Sequence, residues 1–266
     1  MKKLPNTLIL ADLHLDLWHK AGLNPLDLVD FDAVELMIIA GDLTNKPLTR
    51  WKQALALIGE RLPLERVHIV PGNHDYYDFQ LDGDARLADI AQTAGANFAQ
   101  KAEIKCATTR YLCCTLWTDM LSGYGTLEEN AAEAARIMND YYRIRIARPA
   151  FRKARPLDTV ERHRDHVAWL EAKLSEPFNS ETVVVTHHAP HPFALAPQSP
   201  VPQAYASDLS DLINRYRPHR WLYGHTHLAT EFKIGMTTLR NVSIGYPSKA
   251  TSGRDDRWAA ALGDSE

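Results

Sequence analysis

Five short clusters of carboxylate, carboxamide and imidazole side chains punctuate this sequence: Asp12-Leu13-His14, Gly41-Asp42, Gly72-Asn73-His74-Asp75, His187-His188 and Gly224-His225-Thr226-His227. Side chains two apart on an extended segment share a face, so Asp12 with His14, and His225 with His227, can each point at one centre. With Asp42, Asn73 and His187 they make seven oxygen and nitrogen donors, too many for one tetrahedral cation. Two divalent cations about 3.5–4 Å apart, bridged by a carboxylate and a hydroxide, use such a set. Asp42 is the natural bridge. Charge counting agrees: two dications less Asp12, Asp42 and the hydroxide leave a site that still attracts phosphate. The set contains no thiolate, so mixed oxygen and nitrogen ligation fits manganese, iron or zinc better than a soft metal, and affinity order does not choose among them; manganese is the favoured expectation. His188 either contacts substrate or satisfies a loop carbonyl.

The clusters have a common setting. Each follows a short apolar run, at residues 7–11, 36–40, 67–70, 182–185 and 220–223, and such runs read as buried strands. Helix-like stretches at 48–61, 85–94 and 207–216 alternate with them, the last capped by Ser207 and stopped before Pro218. The alternation reads as α/β, in which ligands gather at the C-terminal edge of the strands. Thr126-Leu127-Glu128-Glu129 has the form of a capping box. Asp158-Thr159-Val160-Glu161 opens a further helix with Val167, Leu170 and Leu174 on one face. Residues 97–117, broken at 107–109, and 231–242, turning at Gly235, read as antiparallel β and predict a second sheet. Residues 190–202 are a Pro-rich loop. One domain over 1–250 is expected, with a basic, helical, cap-like insert around 126–175 and a polar tail over 251–266.

Composition sets the bounds. The chain has 266 residues, 45% hydrophobic and 24% charged, which excludes the disordered and fibrous classes. A net charge of −3 argues against a general nucleic-acid or membrane coat. No apolar run is long enough for a membrane span. The three cysteines, Cys106, Cys113 and Cys114, form no disulfide framework; they are expected in or beside a strand, in a cytoplasmic protein. Positive charge is concentrated locally, with nine basic against three acidic residues between Arg136 and Arg164. Arginines interleave with aromatics there, so Arg143 or Arg145 could clamp a substrate phosphate, the plainer reading being a solvated helix face. His19, His68, His163, His166, His191 and His219 read as surface or helix residues. Tyr76 and Tyr77 either line the pocket or pack.

The ordered set D-x-H, GD, GNHD, H and GHTH resembles the calcineurin-like metallophosphoesterase superfamily. That resemblance implies a four-layer α/β/β/α sandwich with two mixed sheets and hydrolysis of phosphoric esters at a dinuclear centre on the strand ends. It puts Asp12, His14, Asp42 and His227 on one metal and Asp42, Asn73, His187 and His225 on the other. His74 matches the residue that contacts the phosphate and assists the leaving group, in protonated form, with Asp75 orienting it. The chain lacks the GDYVDRG of protein phosphatases and has Asn45 where purple acid phosphatases carry a tyrosine ligand. GDLT followed by VPGNHD is more similar to the phosphodiesterase branches. The expected activity is therefore hydrolysis of a phosphodiester in a small or nucleotide-derived substrate through a metal-bridging hydroxide. The alternatives are a DNA nuclease, a small-molecule phosphomonoesterase and, last, a non-enzymatic scaffold. The sequence does not specify an oligomeric state.

Overall fold

The structure, a computed structural model, describes residues 6–123 and 125–247; the expected tail lies outside them. Strands β1 (Asn6–Leu10), β2 (Val34–Ala40), β3 (Val67–Val70) and β4 (Asn97–Phe98) form one sheet in that order. Every pairing in it is parallel. Among the described residues this sheet is purely parallel: β4, expected in an antiparallel unit, pairs in parallel with β3. Between these strands lie α1 (Leu15–Lys20), α2 (Pro47–Gly59) and α3 (Asp84–Ala94). In α2 the buried residues Trp51, Ala54, Leu55 and Ile58 recur at helical spacing and make one apolar stripe against the sheet.

The second sheet contains β5 (Ala102–Cys106), β6 (Thr109–Cys114), β9 (Glu181–Thr186), β10 (Arg220–Tyr223), β11 (Glu231–Ile234) and β12 (Thr237–Asn241). Its spatial order is β11-β12-β10-β9-β6-β5, parallel inside and antiparallel at both ends. A strand's side chains alternate between faces. Tyr111, Cys113, Val183, Val185 and Leu222 accordingly share a core with the first sheet. Their neighbours Leu112, Cys114, Val184, Trp221 and Tyr223 pack with helical residues. Those residues come from α6 (Pro156–Ser175) and α7 (Ser210–Tyr216).

Between β6 and β9 in sequence lie, before α6, α4 (Leu127–Ile137), α5 (Asp140–Arg143) and the two-stranded pair β7 (Arg145–Ile146) and β8 (Arg152–Lys153). The capping box forms: Thr126 Oγ1 accepts from the Glu129 N–H and the Glu129 carboxylate accepts from the Thr126 N–H. Ser207 does not cap α7, which starts at Ser210. Its hydroxyl is taken by Asp119, accepting from that backbone N–H at 2.9 Å and donating to the carboxylate at 3.0 Å. The expected insert is divided in its packing, because Leu170 and Leu174 of α6 belong to the second sheet's core.

His163 and His166 are on α6 as expected but are buried rather than on the surface. His166 Nδ1 accepts from the Leu116 N–H at 3.1 Å, and its Nε2 is buried without a partner. Burial pushes its pKa down to about 3, below the roughly 6.5 of the unfolded chain. Stability from this group is therefore full above about pH 6.5 and declines as pH falls toward 3, because the unfolded state binds the extra proton. Urea unfolding of the wild type is expected to lose on the order of 1 kcal/mol per pH unit between pH 6.5 and 5 relative to His166→Asn. Parallel pH curves for the two proteins would contradict this.

Candidate metal centre

The loops after β1, β2, β3, β9 and β10 converge, and their backbone is unusual. Asp12, His14, Asp42, His225 and His227 all have φ between 39° and 66°. Left-handed backbone in non-glycine residues costs on the order of 1 kcal/mol each, so five such residues on converging loops of both sheets mark a site held in a required geometry. Glycines let the chains approach. A Cβ on Gly72 would sit 2.2 Å from Asp42 Oδ1, and one on Gly41 would sit 2.1 Å from His187 Nδ1.

The side chains fall into linked groups. Asp12, His14 and His227 offer ligand atoms within 4.8 Å of one another, as do Asp42, His187 and His225, and also His14, Asp42 and His74. Asp42 joins the sets through different oxygens: Oδ1 lies 3.5 Å from His187 Nε2, and Oδ2 lies 3.6 Å from His14 Nε2 and 3.9 Å from His74 Nε2. Asn73 Oδ1 lies 3.0 Å from His187 Nε2. Asp12 Oδ2 accepts from the His225 N–H and the Ser243 hydroxyl, leaving Oδ1 facing His227 Nε2 at 3.0 Å. His187 Nδ1 lies 3.0 Å from the Ala40 carbonyl, which assigns the proton there and leaves the Nε2 lone pair for a ligand bond.

Electrostatics favours cations here. Burial lifts the Asp42 carboxyl well above its usual range, and the charges of Asp12 and Asp75 add to the effect. Burial also opposes the charge on Asp12, but its histidine neighbours, His227 foremost, hold it well below the usual range. Burial pushes His14, His187 and His225 below the usual imidazole range. His14 Nε2 and His227 Nε2 face each other at 3.3 Å, and His225 Nε2 is buried without a partner. Lone pairs converging around buried carboxylates fit hard or borderline divalent cations such as manganese, iron or zinc.

These observations meet a family-level match: the pattern of the calcineurin-like phosphoesterases covers residues 5–229. The chain belongs to the calcineurin-like phosphoesterase family. It is a metal-dependent phosphoester hydrolase. Over 263 residues it is 24% identical to the uncharacterized protein L509 of Acanthamoeba polyphaga mimivirus, covering 89% of each chain. The phosphopantetheinyl hydrolase of Mycobacterium tuberculosis shares its fold, with a TM-score of 0.70, 19% identity, and coverage of 93% of this chain and 92% of that one. A putative 5'-nucleotidase from Staphylococcus aureus is more distant, with a TM-score of 0.48 and 9% identity over 88% of this chain and 48% of its own.

The phosphoesterase's other expected site residues are placed differently from one another. His74 faces the cleft; its Nε2 lies 3.4 Å from the Tyr246 hydroxyl, and its Nδ1 is buried without a partner. Burial first, then His187, pushes its pKa down to about 3, so in the free protein the ring is neutral rather than protonated as expected. Asp75 does not orient His74. Its carboxylate accepts from the backbone N–H groups of Leu43, Thr44 and Gly72 and from Trp51 Nε1, and so ties together the loops carrying Asp42 and Asn73. His188 is buried behind the cleft, its Nδ1 3.2 Å from the Thr115 carbonyl and its ring 4.3 Å from that of His225. Arg145 donates to the Tyr142 carbonyl, and Arg143 pairs with Asp78 at 2.6 Å while lying over the Tyr77 ring. None of these three is among the residues that line the cleft.

The cleft has a volume of about 310 Å³. Its lining joins Asp42, Asn73, His74, His225 and His227 to Tyr77, Tyr205 and Tyr246, to Asn139 and Thr226, and to an apolar wall of Ile137, Met138, Pro200 and Val201. Tyr246, Tyr205 and the wall were not foreseen as site residues. Tyr246 sits with its ring 4.5 Å from His14 and 4.6 Å from His227. No local sequence signal distinguishes it. Residues 137–139 are at the end of α4.

Proposed function

We propose that the protein is a phosphodiesterase for small substrates, with Asp12, His14, Asp42 and His227 holding one divalent cation and Asp42, Asn73, His187 and His225 a second. The observation that carries the diester assignment is the charge of the cleft lining: among the described residues it contains no lysine or arginine. A phosphomonoester carries close to two negative charges at neutral pH and gains from cationic side chains beyond the metals. A diester carries one and leaves two organic substituents to be accommodated, which suits the tyrosines and apolar residues of the lining. A nucleic-acid backbone needs a cationic track, so the same lining favours a small or nucleotide-derived diester over DNA.

When bound, the cations supply charge neutralisation of the phosphate and a water made nucleophilic at neutral pH. The chain's own residues do the rest. Asp42 spans the two ligand sets through its two oxygens. His74 has no acceptor near Nδ1, so its proton is assigned to Nε2, which donates a hydrogen bond to the leaving oxygen as charge develops there. The wall of Ile137, Met138 and Val201 holds one substituent away from water. A flexible chain of the phosphopantetheinyl type, named for the Mycobacterium tuberculosis relative, is one substituent that such a wall suits. The insert around 126–175 acts as the cap, within a single catalytic unit.

The test compares manganese-supported rates on bis-p-nitrophenyl phosphate and p-nitrophenyl phosphate, with Asp42→Asn as the blank. The diester is expected to react at least about tenfold faster by kcat/KM, a difference of about 1.4 kcal/mol in transition-state stabilisation. Preference for the monoester would overturn the diester assignment.

A further inference from the structure

We infer that Asp140, delivered by the insert, is a positioning residue that fixes which end of the Asn73 carboxamide faces the metals. The inference rests on the metal centre proposed above and concerns a residue outside its ligand sets.

Asp140 is the first residue of α5 and is buried. Asn73 Nδ2 donates to Asp140 Oδ1 at 2.8 Å, and the Tyr77 hydroxyl donates to the same oxygen at 2.6 Å. Tyr77 in turn stacks on His74, with ring centroids 4.2 Å apart and an interplanar angle of 24°. A carboxamide is nearly symmetric in shape and has two possible orientations, one offering its oxygen and the other its NH₂. Only the oxygen can ligate a cation. An ionised carboxylate accepts hydrogen bonds and donates none, so the bond to Asp140 selects the orientation with Nδ2 toward α5. Oδ1 is then left toward His187 Nε2 and the Asp42 side of the site. The segment whose arginines suggested an anion clamp thus reaches the centre through an acid. Groups of this kind behind a metal ligand typically change metal affinity by about 10–100-fold.

Asp140→Asn keeps the volume but presents an amide that can meet Asn73 in either orientation. Calorimetric titration with manganese is expected to show two sites in the wild type and, in Asp140→Asn, one of them weakened about tenfold. A double-mutant cycle separates positioning from general support. Asp140→Ala and Asn73→Ala each weaken that site, and the double variant matches Asn73→Ala alone, because Asp140 acts only through Asn73. Tyr77→Phe removes the longer of the two bonds that Asn73 Nδ2 donates, to the Tyr77 hydroxyl at 3.3 Å, but keeps the one to Asp140 at 2.8 Å, so that site is expected to weaken less than in Asp140→Asn. Two wild-type affinities in Asp140→Asn, or additive losses in the cycle, would overturn the inference. A wild type that binds no manganese would instead overturn the metal centre itself, so the two failures are distinguishable without any assay of turnover.

Discussion

Asp42→Asn is expected to lower kcat/KM by at least about 10³-fold, roughly 4 kcal/mol of transition-state stabilisation, and to lose at least one of two bound cations. The reason is geometric and electrostatic together. Among the described residues Asp42 is the carboxylate whose two oxygens face different histidine groups, and asparagine offers a single neutral oxygen in its place. The same substitution should have the opposite effect on the metal-free fold. Burial and the neighbouring charges of Asp12 and Asp75 raise the Asp42 carboxyl well above its usual range. For an acid raised in the folded state, the ionised form at neutral pH works against folding. Metal-free Asp42→Asn is therefore expected to melt at a higher temperature than metal-free wild type, with the order reversed when manganese is added. Thermal unfolding with and without manganese, alongside metal analysis, checks both halves; equal metal content and unchanged turnover in the variant would contradict the bridging role.

His74→Ala is expected to separate metal binding from rate. The main-chain N–H of residue 74 donates to Asp42 Oδ1 at 2.9 Å, and alanine keeps that bond, so both cations should stay. The lost imidazole removes the hydrogen bond to the leaving oxygen. General acid–base groups contribute about 10²–10⁴-fold. A neutral imidazole, which the depressed pKa of about 3 implies for the free protein, belongs at the lower end, near 10²-fold. The loss should grow with the basicity of the leaving group, being larger for an alkyl than for a nitrophenyl ester. Steady-state kinetics on both esters, with manganese content measured on the same samples, gives the result. Equal losses on both leaving groups would remove His74 from that role.

Much of this site was legible because buried parallel strands read as nearly continuous apolar runs, and the polar clusters close those runs. Thr182-Val183-Val184-Val185 before His187, or Arg220-Trp221-Leu222-Tyr223 before Gly224, locates a sheet edge without any long-range information. The capping box at Thr126 and the turn at Gly235 were legible for the same local reason. What failed depended on partners distant in sequence. Asn97 and Phe98 look like the start of a hairpin but find Val67–Val70 as a parallel neighbour. Arg143 looks like an anion clamp until Asp78 pairs with it. Asp75 looks like the partner of His74 until four donors from two loops and α2 claim it. Tyr246 reaches the histidines, and Asp140 reaches Asn73, only once the chain has folded.

The central claim is that two cations share Asp42 at the edge of the two sheets. Anomalous diffraction from manganese-loaded crystals, collected at the manganese edge, tests it most directly. The prediction is two peaks, one contacted by Asp12, His14, Asp42 and His227 and the other by Asp42, Asn73, His187 and His225. A single peak, or manganese bound away from these residues in protein that still hydrolyses phosphoesters, would contradict it.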